Sequence, residues 1–125
     1  MIRITNLALI NSFLEHDPAF GKIHRADHPD IYFLYERGVG LFPGVMKGDS
    51  MSLHACINPE CRGKRAVEAA KSCIEWVFSN TKAKRITTRA DKTKRHLLIF
   101  NGLILTRTHE DETYVYYEVN NGQLS

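Results

Sequence analysis

The stretch from Ile57 to Ala66, with Pro59, Arg62, Gly63, Lys64 and Arg65 inside it, constrains the fold more than any other part of this sequence. It joins a strand-like run over residues 51–57 to a helical pattern over residues 62–80. In that pattern Ala66, Ala70, Cys73, Ile74, Val77 and Phe78 recur at helical spacing and form one apolar stripe. Three cations, Arg62, Lys64 and Arg65, crowd the first turn. The positive end of the helix dipole lies there, so each cation costs about 0.3–1 kcal/mol. An anion on the free N–H groups of the turn offsets that cost. A strand, a basic turn and a helix start together predict a phosphate seat.

The rest of the chain supplies a mixed architecture. Asn6 caps a predicted short helix over residues 7–15, with Leu7, Ile10, Phe13 and Leu14 on one face. Residues 16–30 are polar, are broken by Pro18, Gly21 and Pro29, and read as a loop. Residues 31–36 are aromatic and β-branched and read as a strand. A second strand over 39–46 contains Pro43 and Gly44, which predicts a bulge or an edge position. After the long helix come a short strand over 85–88 and a helix over 92–100, capped by Asp91 and stopped by Gly102. Strands over 103–108 and 113–119 flank an acidic turn. Strands on both sides of the last two helices predict some parallel pairing within a mixed sheet.

Composition narrows the class. The 125 residues suffice for one domain with a hydrophobic core and not for two. The net charge of +3 permits an anionic ligand but is too mild to imply nucleic acid. No apolar run approaches the roughly 20 residues that span a bilayer, and the first residues lack the pattern of a signal peptide. Three cysteines, an odd number, do not form a disulfide framework. The expectation is a cytoplasmic protein with reduced thiols.

With that order of elements, the text from Ser52 through His54, Cys56, Pro59 and Arg62 to Lys64 resembles the central strand, proline and basic turn of the GNAT superfamily of acyl-CoA-dependent N-acyltransferases. The stretch from Asp91 to Leu103 resembles the family's late helix, and together the likeness covers roughly half of the chain. It implies an α+β fold with a mixed, mostly antiparallel twisted sheet and helices on both faces. It also implies acetyl-CoA or another acyl-CoA as cofactor. Backbone groups of Ala55, Cys56 and Ile57 would face the pantetheine. Arg62, Gly63, Lys64, Arg65, Ala66 and Val67 would surround the phosphates. The partner implied is a small-molecule or peptide amine.

The sequence departs from that family at informative places. Arg65 and Val67 replace small residues of the phosphate turn, and Leu98 falls where the family carries a tyrosine that protonates the departing thiolate. The helix text from Gly63 to Ala70 is also similar to phage-encoded members, some of them head-assembly proteins. This implies an alternative: a non-catalytic GNAT-fold protein acting in virion assembly, with a virion partner in the host cytoplasm, or an interaction module.

Other residues carry competing readings. His54 is read as a weak catalytic base or as a half-buried strand histidine sharing a face with Ser52 and Cys56. Zinc on His54, Cys56 and Cys61 lacks a fourth ligand, so no metal is expected. Cys61, nearest the basic turn, is the better candidate nucleophile, and Cys73 belongs to the core stripe. His24, Asp27 and His28 border an acceptor site or lie on a solvated loop. Tyr114 and Tyr116 share one strand face and Tyr117 takes the other. The basic run from Lys82 to Arg95 lacks interleaved aromatics, so nucleic acid is not the expected partner.

Overall fold

Strand 31–36 and the strand after it form a hairpin around which the sheet is built. In the computed structural model, which describes residues 1–15, 17 and 20–122, the first elements are β1 (Ile2–Arg3), α1 (Leu7–Leu14), β2 (Ile31–Glu36) and β3 (Gly40–Lys47). There follow β4 (Ser50–Leu53), β5 (Cys56–Ile57), a 3-10 turn (Pro59–Cys61) and α2 (Lys64–Asn80). The last are β6 (Arg85–Asp91), α3 (Arg95–Ile104), β7 (Thr106–Glu110) and β8 (Tyr114–Asn120). The sheet order is β1-β2-β3-β4-β6-β8-β7, with β5 on β3. Among the described residues only β4 and β6 pair in parallel. The sheet is therefore mixed and mostly antiparallel, as the sequence implied.

Strand alternation sends side chains to two cores. Phe33 and Leu41 meet Ile10 and Leu14 of α1 on one face. Leu34, Phe42, Met51, Ile86 and Val119 meet Cys73, Ile74 and Val77 of α2 on the other. Leu97 and Leu98 of α3 pack on Ala90, Val115 and Tyr117, which point the same way as Ile86 and Val119. One short helix thus covers part of the first face, and two helices cover the second. No helix among the described residues is long and apolar enough to cross a membrane.

Several expectations are corrected. Pro43 lies at neither an edge nor a bulge: β3 keeps one unbroken register with β2 on one side and with β4 and β5 on the other. His54 N–H donates to the Pro43 carbonyl at 2.9 Å. The reciprocal bond of that pair would come from the Pro43 nitrogen, which has no hydrogen. The strand expected over 51–57 is accordingly interrupted between Leu53 and Cys56. Asp91 ends β6 and accepts from Thr93 instead of capping a helix. Gly102 lies inside α3, which runs on through Leu103 and Ile104. The sequence reading also missed β1, whose partners are in β2. At the far edge, β7 is exposed along its whole length and carries a register shift between Arg107 and His109.

Gly40 is where β3 and β5 come closest. A Cβ there would lie 2.5 Å from the Cys56 carbonyl oxygen and 3.0 Å from the Ile57 Cα, both backbone atoms with little room to give. Gly40→Ala is expected to cost about 1–3 kcal/mol through overpacking. Gly102→Ala meets nothing within 4 Å in a helix, so it should gain about 0.5–1 kcal/mol. Urea denaturation of the two variants should give opposite signs.

Candidate active site

The parallel ladder between β4 and β6 runs through Ser50↔Arg85, Met51↔Ile86 and Ser52↔Thr87 and then ends. Both strands continue. Residues 88–91 stay on β8, while Cys56 and Ile57 stay on Leu41 and Gly40 of β3. The strands therefore part at their carboxyl ends, and a gap opens between residues 53–57 and 88–91. Ligands of sheets with parallel strands lie at such carboxyl-end divergences.

Backbone direction in the gap follows from two bonds. His54 N–H meets Pro43 O, and Asn58 N–H meets Val39 O at 2.8 Å. The backbone groups of residues 54, 56 and 58 thus face β3, and those of Leu53, Ala55 and Ile57 face the gap. Of the backbones the resemblance assigned to pantetheine, Ala55 and Ile57 line the opening. Cys56 instead sends its backbone to Leu41 and its thiol to the α1 face.

Beyond Ile57 the chain turns through Pro59–Cys61 into α2, whose N-cap is Gly63 at φ +93°. That positive φ starts the helix at Lys64, two residues later than the pattern predicted. The first helical bond is Val67 N–H to Gly63 O at 3.1 Å, so the N–H groups of Lys64, Arg65 and Ala66 have no intrahelical acceptor. No side chain caps the turn, and its first turn holds no acidic residue. A Cβ on Gly63 would meet nothing within 4 Å, so the space beside the N-cap itself is open. Arg65 does not fill it. Its guanidinium lies beside Gly38 and, with Glu36 and Glu68, lines a separate hollow of about 250 Å³. Ala66 is buried and Val67 half-buried, while Arg62 and Lys64 are exposed at the rim.

On the α1 face the gap meets a cleft of about 690 Å³. Phe20, Ile23 and Phe33 form its apolar wall, Ser52 and His54 its strand floor, and Thr87, Arg89 and Tyr116 its far side. His54 Nε2 lies 3.3 Å from Asp17 Oδ2, and the Cys56 thiol donates to the same oxygen at 3.5 Å. The Phe20 ring meets the imidazole edge-on at 5.0 Å. The imidazole stays 42% exposed against 22% for the carboxylate, so it is the histidine that reaches the cleft. Asp17 is the member that sequence reading missed. It sits in a polar loop 37 residues away from its partner, and no local pattern marks it.

Burial first, and then the Asp17 charge, push the Cys56 thiol up to about 12. A thiol held protonated is a poor nucleophile. The Asp17, His54 and Cys56 heteroatoms lie within 4.8 Å of one another and share the hydrogen bonds on Asp17 Oδ2. Cys61, weighed as a nucleophile, is buried with its Sγ 3.0 Å from Gly38 O. It does not join His54 and Cys56. Cys73 is buried in the core and pushed up to about 12 by that burial. His24, Asp27 and His28 are exposed, and the loop reaches the cleft through Ile23 and Arg25 instead. Tyr116 lines the cleft and Tyr117 faces α3, donating to Leu98 O at 3.2 Å.

No family model and no curated relative matches the sequence. Solved structures do. The N-acetyltransferase PseH of Campylobacter jejuni in complex with acetyl coenzyme A aligns over 76% of this chain and 71% of its own, at 14% identity and a TM-score of 0.66. The chain has the GNAT fold. A domain from Methanocaldococcus jannaschii matches over 95% of this chain and 96% of its own, at 16% identity and a TM-score of 0.65. Spermidine N-acetyltransferase from Vibrio cholerae, in complex with CoA and spermine, covers 77% of this chain and 69% of its own at 9% identity and a TM-score of 0.63. At these identities the likeness is one of GNAT architecture alone.

The two buried thiols make a pH prediction. Their folded values of about 12 lie above the ordinary 9.0. Between those limits the unfolded chain loses protons that the native protein keeps, so stability is full below about pH 9 and falls as pH rises toward 12. Urea midpoints measured from pH 7 to pH 10.5 should decline, and Cys56→Ser should flatten part of that decline.

Proposed function

We propose that the protein is an acyl-CoA-dependent N-acyltransferase. The observation that carries this reading is the end of the β4–β6 ladder at Ser52–Thr87, which opens a gap leading to the uncapped first turn of α2. The gap-facing backbone groups of Ala55 and Ile57 would hold the pantetheine. The amides of Lys64, Arg65 and Ala66 would hold the pyrophosphate, with Arg62 and Lys64 adding charge at the rim. This binding makes the cations of that turn favourable, and Lys64 alone gains little from its 3.9 Å pair with Glu68.

The amine would enter by the α1-side cleft and attack the thioester carbonyl. The nitrogen–carbon bond forms, and the carbon–sulfur bond breaks with its electron pair going to sulfur. With Nε2–H donating to Asp17, the tautomer leaves the lone pair on His54 Nδ1, where it takes the amine proton. Among the described residues nothing else hydrogen-bonds this imidazole. The N–H groups of Leu53 and Ala55 face the gap, where the carbonyl oxygen gains negative charge. A thiolate leaves without much assistance, because a free thiol titrates near pH 8.5; water returns its proton.

A second reading rests on Leu98. It packs on Ala90, Val115 and Tyr117 and offers no proton. That favours a GNAT-fold interaction module without turnover, as in virion assembly. Two measurements separate the readings. Calorimetric titration with acetyl-CoA should show binding, and no heat at millimolar ligand overturns the acyl-CoA reading. His54→Ala should lower turnover of any accepted amine about 10²-fold or more while leaving acetyl-CoA affinity nearly unchanged. Binding without release of coenzyme A across amines establishes the module.

A further inference from the structure

Two residues of the cleft face each other across the gap. Continuing the parallel register two residues past Ser52↔Thr87 brings His54 level with Arg89. In parallel strands, residues at one level point to the same face. His54 is known to point to the α1 face by its contact with Phe20. Both residues line the cleft, one on each side of the opening. Arg89 is held there by the Tyr114 ring, 4.1 Å from its guanidinium carbon. It makes no ion pair among the described residues.

The charge of the whole cleft has the same sign. Its lining includes Arg25, Lys47 and Arg89 and no aspartate or glutamate. Arg25 is neutralised by Asp27, whereas Lys47 is exposed and makes no ion pair among the described residues. Of the carboxylates bonded to cleft residues, Asp17 is engaged by His54 and Cys56, and Asp111 accepts from the Tyr116 hydroxyl and the amides of Thr113 and Tyr114. Glu118, cross-strand from Thr87, lies outside the lining. A polycation gains nothing from such a surface. A molecule with an amine at one end of a short span and a carboxylate at the other gains at both. Arg matches a carboxylate with two parallel N–H donors.

We infer that the acceptor is a free α-amino acid, its amine toward His54, its carboxylate on Arg89 and its side chain on the apolar wall of Phe20 and Phe33. The Vibrio cholerae enzyme of the same fold is seen with spermine; this cleft selects the opposite charge. The reaction part rests on the acyl-transfer reading, and the binding part stands apart from it.

The test uses acetyl-CoA with three probes: phenylalanine, phenylalaninamide and spermidine. Phenylalaninamide keeps the amine and the ring, lacks the carboxylate, and resembles a peptide N-terminus. The expected result is a kcat/KM for phenylalanine about tenfold or more above that for the amide, the size of a lost charge-assisted bond. Arg89→Gln should bring the ratio close to one, and Arg89→Lys should restore part of it. Preference for the amide or spermidine overturns the inference and leaves acyl transfer intact. The same probes are followed by amide shifts of Ser52, His54, Thr87 and Arg89 in two-dimensional NMR. Shifts from phenylalanine alone, without turnover, uphold the ligand class and remove the reaction. Equal shifts from all three, or none from any, overturn the ligand class.

Discussion

One strand serving two neighbours unequally organises this molecule. The run from Ser50 to Ile57 keeps a constant register with β3 throughout its length, yet follows β6 for only three residue pairs. Because β3 holds the run straight, β6 is the strand that leaves, drawn along by its seven-residue pairing with β8. Pro43 suits this arrangement. A proline inside a sheet normally forfeits a ladder bond, and here the forfeited bond falls at His54, where the ladder is already giving way. The His54 side chain, set on the α1 face by strand alternation, faces the cleft and reaches Asp17.

Electrostatics then distinguishes the two sides of the opening. At α2, exposed amides and cations stand without a side-chain cap or an acidic partner in the first turn. On the α1 face, Asp17, Asp27 and Asp111 are each engaged by a neighbouring side chain, and the Arg89 guanidinium makes no ion pair among the described residues. Both surfaces call for anions, but of different kinds. The first offers uncapped backbone donors, which suit tetrahedral phosphate oxygens. The second offers a planar fork between tyrosines, which suits a planar carboxylate.

Much of this was legible in the residues. The apolar stripe of α2 and the alternation in β8 carry their periods plainly, and strand 31–36, read from its aromatic and β-branched residues, was bounded to the residue. The basic turn announced itself because cations at a helix start run against the dipole. What was not legible depends on long-range pairing. The tiny β1 exists only because β2 offers an edge. Glycine usually ends helices, which predicts a stop at Gly102, but the contacts of Phe100 and Ile104 with the core carry α3 past it. Asp17 meets His54 only after the three strands between them, β2, β3 and β4, have folded. The facing of His54 and Arg89 needs the β4–β6 register, which no local window contains.

The charged and interrupted character of β7 bears on how the protein behaves at high concentration. An open sheet has two free edges, each a template for a strand from another molecule. Here one edge is only two residues long. The other displays Arg107, His109 and Glu110 to solvent and is kinked by its register shift. Neither edge offers a long, flat, apolar row of donors and acceptors. A chain that keeps one sheet face half uncovered can therefore stay dispersed without closing its sheet into a barrel.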